Sequence, residues 1–304
     1  MATTRLNFAN LVVPGLDEVL YDEFESVPTQ HDLIFPMDIS GQKREVGQTV
    51  AGFGSMPQKD EGAPITEDKP YQGYQTTLTH LEYAMKFAIT KTMWEDEQYG
   101  VMSGMSKNMG VAARDAKEVA AANIFNNGFS DSFVGGDSEP LFGDATNYDH
   151  PMAVGSTTLK NRLSSNADLT VSSLTQALID IRGTVNDRGL LVVLNPATLI
   201  VPPELEMIAE QILGSDKEPF TADNQINAIR KRGLKLIVWD YLTDSDAWYV
   251  GCDKARTGLR GFNRIPLQTE SGDDINTGNA VYTARQRFIF GWFDWRGIFG
   301  NPGA

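Results

Sequence analysis

The chain has 304 residues, 41% of them apolar and 22% charged, ordinary values for a soluble globular protein long enough for two cores. Its 26 basic and 40 acidic residues leave a net charge of −14, a poor basis for general nucleic-acid binding, which needs cations to displace condensed counterions. No apolar run approaches about 18 residues, no basic-then-apolar leader opens the chain, and one cysteine, Cys252, can build neither an internal disulfide nor a thiolate metal site.

Residues 1–36 read as an arm. "FANLVVPGLDEVLYDEFES" holds one short amphipathic helix started by Pro14-Gly15, with Leu16, Val19, Leu20 and Phe24 at helical spacing. "VPTQHDLIFPMDISG" then alternates apolar residues with turn formers. Neither piece can close a core alone, so both must lie against something else.

From Ser40 to Thr77 the strand-like ends Arg44–Val50 and Tyr71–Leu78 flank a Gly-, Pro- and charge-rich middle. Its few apolar residues (Val46, Val50, Phe53, Ile65) are widely spaced, which predicts a long two-stranded hairpin that needs a partner surface.

The strand "TTLTHLEYAMKFAIT" leads to a helix start where Thr92 and Glu95 fit a capping box. The helix that follows carries Met102, Met105, Met109, Ala112, Ala116, Val119 and Ala120 on one stripe, is interrupted by Gly100, Gly104 and Gly110, and closes at Gly128. Such a stripe of Met and small residues reads as close packing against a sheet.

Beyond a loop-rich region, Ser173 and Gln176 suggest a capped helix burying Leu174, Ala177, Leu178, Ile181 and Val185. "LLVVLNPATLIVPPELEMIAEQIL", Leu190–Leu213, reads as a buried strand, a turn, a second apolar segment and an amphipathic helix. A helical "QINAIRKRG" and the strands "LKLIVWDYL" and "AWYVGC" follow. "VYTARQRFIFGWFDW" alternates strictly, with Tyr282, Ala284, Phe288, Phe290 and Trp292 on one face of a half-buried strand.

Chemistry is hard to find. The three histidines, His31, His80 and His150, lie far apart without Cys or acidic companions at metal spacing, and read as structural or surface residues. Cys252 reads as a small apolar strand residue. "IRKRG" reads as a solvated helix end, and "GGDSEPLFGDATNYD" is acidic but lacks calcium-loop spacing. The helix start after Val201 is no anion site: Pro202 and Pro203 lack N–H groups, and Glu204 and Glu206 add negative charge. No nucleophile, phosphate-loop or metalloprotease motif occurs, so neither an enzyme nor a cofactor is expected.

Four stretches, in order, carry a resemblance: "DEGAPITEDKPYQGYQTTLTHLEYAMKFAITKTMWED" with Glu61-Gly62 and Ile65; "EPLFGDATNYDHPMAVGSTTLKNRLSS" with Leu141-Phe142, His150-Pro151, Asn161 and Leu163-Ser164; the helix, Pro196 turn and "VPP-x-L" start of residues 174–213; and "RQRFIFGWFDWRGIFG" with Asp294-Trp295-Arg296-Gly297. Together they resemble the major capsid proteins of tailed bacteriophages, whose architecture is called the Johnson fold.

The resemblance implies an α+β chain with an amino-terminal arm (1–36), an extended β-hairpin loop (37–78), a peripheral domain with a long spine helix (79–170 and 266–304) and an axial domain with a mixed sheet (171–265). It implies a structural protein of the virion that self-assembles from pentamers and hexamers into an icosahedral shell in the host bacterial cytoplasm. The shell encloses double-stranded DNA without sequence-specific binding, and the acidic balance suits a wall along which DNA must slide. A portal, possible decoration proteins and a scaffold, separate or already removed since no long segment precedes the arm, are the expected partners; no membrane is.

Arg44, Lys59, Glu61, Gly62 and Ile65 are the candidate assembly-interface residues. Some relatives form isopeptide bonds between a loop lysine and a neighbour's asparagine; Lys59, or else Lys43 or Lys69, lies in the corresponding loop, though no residue identifies an acceptor. The competing readings are an encapsulin-like compartment shell, which shares the fold class, and an enzyme with an unpatterned site.

Overall fold

Residues Tyr99–Asn126 form one continuous helix, α3, of 28 residues, despite glycines at 100, 104 and 110. It belongs to a computed structural model describing residues 6–90, 92–93, 99–143, 150–152, 158–217, 219, 226–273 and 279–304. The buried side of α3 is not the stripe expected. Met102 and Met109 are buried, but Met105 and Val119 are exposed, and Ser106, Glu118, Ala121, Ala122, Ile124 and Phe125 are buried instead. The reason is that α3 is covered along its length by different partners, so no single stripe faces one surface.

One partner is α1 (Leu6–Glu25), a helix that runs through Pro14 instead of starting there. Leu16 and Leu20 of α1 bury against Met102 and Met109. Gly110 permits the crossing, since a Cβ there would stand 2.5 Å from the Leu20 carbonyl oxygen. Ser106 is tolerated inside because its Oγ donates to the Leu16 carbonyl at 2.6 Å. The amino-terminal segment therefore lies against its own chain's long helix. After α1 and the short α2 (His31–Ile34), Ile34 and Phe35 enter the main core.

The first sheet has the order β1 (Met37–Ile39), β10 (Leu259–Asp273), β11 (Ala280–Trp292), β4 (Leu81–Ile89); β1 runs parallel to β10 and the other pairs are antiparallel. In β11 the predicted alternation holds: Tyr282, Ala284, Phe288, Phe290 and Trp292 are buried, with Gln286 beside them. Gln286 is accommodated because its amide donates to the Ala113 carbonyl of α3 at 2.6 Å.

The second sheet is mixed, in the order β12 (Ile298–Asn301), β9 (Trp248–Cys252), β7 (Pro196–Val201), β8 (Lys235–Val238), with β7 parallel to β8. Helices α4 (Val171–Arg182) and α5 (Glu206–Gly214) share its core. Between the sheets lies an aromatic cluster in which Phe125 meets Phe35, Trp239 and Tyr249 with ring centroids 6.0, 5.3 and 5.0 Å away. These are edge-to-face pairs, each worth about 0.5–1.5 kcal/mol beyond area burial. Two small ladders complete the strands: β2 (Arg44–Ala51) with β3 (Tyr71–Thr79), and β5 (His150–Pro151) with β6 (Thr158–Leu159).

The carboxyl end serves both sheets, since β10 runs on through residues 265 and 266 and β12 returns to the sheet of residues 196–252. Several expectations about single elements need correction. The run Leu190–Leu194 is not a buried strand: Leu191 and Val193 are 60% and 71% exposed, and the strand begins at Pro196. Proline is tolerated at that first position, where a missing donor costs little.

The box of α4 is Thr170 with Ser173, three residues early; Ser173 N–H donates to Thr170 Oγ1 at 3.1 Å, and Gln176 turns to Asp180 at 2.8 Å. Among the described residues of "QINAIRKRG", 226–233, the helical part is a single 3-10 turn, Arg230–Arg232, stopped by Gly233 at φ 68°. There Asn227 is buried and caps α5, donating to the carbonyls of Ile212 at 2.5 Å and Ser215 at 3.1 Å. The box at Thr92 and Glu95 lies outside the described residues at Glu95.

Candidate assembly surface

The β2–β3 ladder forms because both strands alternate and each supplies the other's backbone partners, from Arg44 opposite Thr79 to Ala51 opposite Tyr71. The ladder is anchored along its length. Phe293 lies against Gly47, where a Cβ would approach the ring to 2.2 Å, and Tyr74 Oη donates to the Pro151 carbonyl at 2.5 Å. Arg44 begins β2, a strand of 8 residues, about 27 Å long at ~3.4 Å per residue. The candidates therefore divide, with Arg44 at the base and Lys59, Glu61, Gly62 and Ile65 in the distal loop.

That loop, residues 52–70, contains no regular secondary structure beyond one turn. The turn is closed by Ala63 N–H donating to the Asp60 carbonyl at 3.1 Å and needs Gly62 at φ 79°. Beyond it the loop is open to solvent: Phe53, Met56 and Ile65 are 61%, 93% and 85% exposed. Lys43 and Lys59 are exposed, and Lys69 reaches Glu67 at 3.5 Å on the surface. Burial, which an isopeptide-forming lysine requires, is thus absent within one chain.

One tether holds the loop's flank. Asp68 accepts from Gly54 N–H at 2.7 Å and from Arg188 at 2.6 and 2.7 Å, and Arg188 also covers the Tyr71 ring. The Gly54 amide, then Arg188, hold the Asp68 carboxyl below its usual range against the opposing effect of desolvation.

The other residues weighed for chemistry are structural. Each histidine finds a carboxylate distant in sequence. His31 Nδ1 lies 2.7 Å from Glu118, His150 Nδ1 2.6 Å from Asp137, and His80 Nε2 3.6 Å from Glu45 and 3.2 Å from Ser40 Oγ. Nothing local in the sequence foretold these partners. Glu118 is 3% exposed and accepts from the amides of Gln30 and His31 and from Trp239 Nε1, so it pins the residues before α2 to α3 and to β8's end.

His150 stacks on Trp295 with centroids 4.3 Å apart, and Arg296 binds Asp187 at 2.6 Å and the Val185 carbonyl at 3.2 Å. The Asp294–Gly297 segment singled out in the sequence is therefore a junction for loops from both sheets. Cys252 is buried, and desolvation, with Asp253, pushes its thiol up to about 12, so it is no nucleophile at neutral pH. Pro202 and Pro203 open a 3-10 turn ahead of α5, with no anion-holding geometry. Arg230 of "IRKRG" pairs with Asp216 at the surface.

Among the described residues no group of three His, Cys, Asp or Glu could hold a metal ion, and part of the acidic "GDATNYD" stretch lies outside them. No helix among them is long and apolar enough to cross a membrane.

A search of curated proteins finds no match. Solved structures match the fold across most of the chain. The capsid of cyanophage P-SCSP1u is 12% identical with a TM-score of 0.59, over 91% of this chain and 88% of that one. The capsid of a native GTA particle is 13% identical with a TM-score of 0.58, over 91% of each. The procapsid of bacteriophage JBD30 is 15% identical with a TM-score of 0.54, over 98% of this chain and 75% of that one. Residues 73–301 match the family model described as phage capsid protein, so both sheets, the long helix and the hairpin's returning strand are those of a shell subunit, and the chain belongs to the phage capsid protein family.

Proposed function

We propose that this major capsid protein closes its shell through the loop at residues 52–70, which each subunit lays on a neighbour. The observation that carries this reading is a protruding hairpin whose Phe53, Met56 and Ile65 are largely exposed on one chain. Ordering such a loop costs about 1–2 kcal/mol per residue, which these side chains repay only when something covers them. A contact between unlike patches of identical chains generates closed rings and shells.

In this reading residues 1–36 are an arm, 37–78 the extended loop, 79–170 with 266–304 the peripheral domain and 171–265 the axial domain, with β10 and β12 crossing between the last two. Pentamers and hexamers would form in the host cytoplasm with a separate scaffold and a portal, with or without decoration proteins, and enclose double-stranded DNA without reading its sequence. The match of residues 73–301 to the phage capsid protein family supports a structural role.

The test replaces Gly54–Pro64 with a short Gly-Ser turn. Negative-stain microscopy and sedimentation should show shells from the unaltered chain, and only monomers or small capsomers from the variant. Normal shells from the variant would remove the loop from the interface.

A further inference from the structure

The face of the first sheet turned away from α3 carries an unusual charge for this acidic chain. In β11 the outward residues alternate with the buried ones and include Arg285, Arg287 and Ile289, all half-buried. Arg264 stands beside them where the pairing of β10 with β11 is irregular.

Their carboxylate neighbours hold them loosely. Arg285 lies 3.6 Å from Glu270 and Arg287 3.7 Å from Glu82, both longer than a hydrogen bond. Among the described residues, Nε of Arg285, Nε of Arg287 and Nη1 of Arg264 are buried without a hydrogen-bond partner. Those buried atoms are out of a partner's reach, but Arg285 and Arg287 keep 40% and 24% of their side chains exposed, and it is these guanidinium edges that can meet another carboxylate.

The chain itself offers a matching piece. At the turn of the distal loop, Asp60 and Glu61 are exposed carboxylates, flanked by the exposed Met56 and Ile65. Charge beside apolar surface would thus meet charge beside Ile289.

Within one chain the carboxylate neighbours of Arg285 and Arg287 are Glu270 and Glu82, not the loop's acids. The hairpin's base lies beside the arginines, where Glu45 of β2 is 3.6 Å from His80, which in turn feels Arg264 and Arg287. From there β2 runs 8 residues, about 27 Å, before the loop begins. We infer that Arg285 and Arg287, with Arg264, are the acceptor on which a second copy seats Asp60 and Glu61. The inference rests on the loop-to-neighbour reading above and names the surface it leaves open. The two patches differ, as a ring-forming contact requires.

Charge exchange tests the pairing in the expression system where the unaltered chain yields shells. Arg285→Glu with Arg287→Glu should leave a cooperatively folding subunit but lower shell yield by about tenfold or more, and Asp60→Lys with Glu61→Lys should do the same. Combining all four should recover most of the yield, since the coupling of the two pairs is then restored with signs exchanged.

Normal shells from the arginine variant, or no recovery in the combined one, would overturn the assignment. So would normal shells that lose their nucleic acid, because the arginines would then serve a polyanion. If the Glu variant fails to fold, Arg285→Gln with Arg287→Gln replaces it: its shell yield should lose the salt sensitivity of the unaltered chain, and unchanged sensitivity would refute the pairing. The Gly54–Pro64 replacement separates the two failures. If it blocks shells while the arginine variants do not, the loop's role stands and the acceptor lies elsewhere.

Discussion

Phe125 and Phe53 place the same side chain in opposite circumstances. Around Phe125 the rings of Phe35, Phe142, Trp239 and Tyr249 stand 5.0 to 6.1 Å away, and the side chain is fully buried. Around Phe53 the chain supplies one turn and an ion-pair tether, and the ring is 61% exposed. The first region holds its order from one chain's own burial. The second leaves apolar side chains exposed on one chain, to be covered by a neighbour in the function proposed above. Stability of the subunit and stability of the shell should therefore respond to different residues.

The comparison is broken most severely from the core side. Phe125→Ala removes the ring on which both sheets converge, and a buried Phe→Ala change costs about 3–5 kcal/mol. Soluble, cooperatively melting subunit should be largely lost, and a variant melting close to the unaltered chain would show that Phe125 is not the keystone.

Next comes the polar part of that core. Glu118→Ala leaves the amides of Gln30 and His31 and the Trp239 indole N–H without their acceptor. Unsatisfied buried donors cost about 1–3 kcal/mol each, reduced where water enters. A loss of about 3 kcal/mol in chemical denaturation is expected, and a loss below about 1 kcal/mol would mean the network is dispensable.

These two residues also show what the sequence made legible. Phe288, Phe290 and Trp292 announced their face because a strand's period is two and the sheet buries one side. The hairpin was legible for the converse reason, since Val46, Val50, Phe53 and Ile65 are too sparse to form a core. Glu118 was not legible: its partner His31 is 87 residues away, and no local pattern records a pairing made by the packing of α2 on α3.

Leu190–Leu194 misled because an apolar run does not say whether it is buried, whereas the pairing of β7 with β8 and β9 selects Pro196–Val201. Lys59, Glu61, Gly62 and Ile65 lie in the loop that the Gly-, Pro- and charge-rich sequence implies, whereas strict alternation in β11 marks only the buried face and says nothing of what Arg285 and Arg287 meet.

A smaller effect separates the hairpin's hinge from the rest of the body. His80 joins β3 to β4, and desolvation lowers its pKa, with Arg264 and Arg287 acting in the same direction and Glu45 opposing. The unfolded imidazole, near its ordinary value of 6.5, takes a proton before the folded one. Stability is therefore unaffected above that pH and declines as pH falls below it towards the folded value. His80→Gln should flatten part of the acid-side slope of stability measured from pH 7.5 to 5 in ~0.5-unit steps. An unchanged slope would assign the acid sensitivity to other groups.

Cys252→Ser should cost about 1 kcal/mol, since it places a hydroxyl in the apolar strand core beside Val250 and Leu199. Its shells should be normal. With the thiol's pKa pushed up to about 12, the unaltered Cys252 should also resist alkylation at pH 8 in the native subunit. Rapid labelling there would place the residue at an accessible surface.

The smallest effect on the subunit belongs to the loop itself. Replacing Gly54–Pro64 with a short Gly-Ser turn removes Met56, which is 93% exposed, and leaves Phe53 and Ile65 at the new junctions. If the first inserted residue is glycine, an amide can still face Asp68, so the tether to Arg188 survives. Shortening the connection lowers its closure entropy by a few tenths of a kcal/mol, on the scale of ~0.6 kcal/mol per halving. The monomer's melting temperature should thus stay within about 2 °C, with any change upward. Limited proteolysis sharpens the point from the other side: the unaltered monomer should be cut at Lys59 before any site in α3 or β11, and the same bond should be protected within shells. A melting temperature lowered by about 5 °C or more would make the loop part of the subunit's own core, and the division between the surroundings of Phe125 and Phe53 would fail.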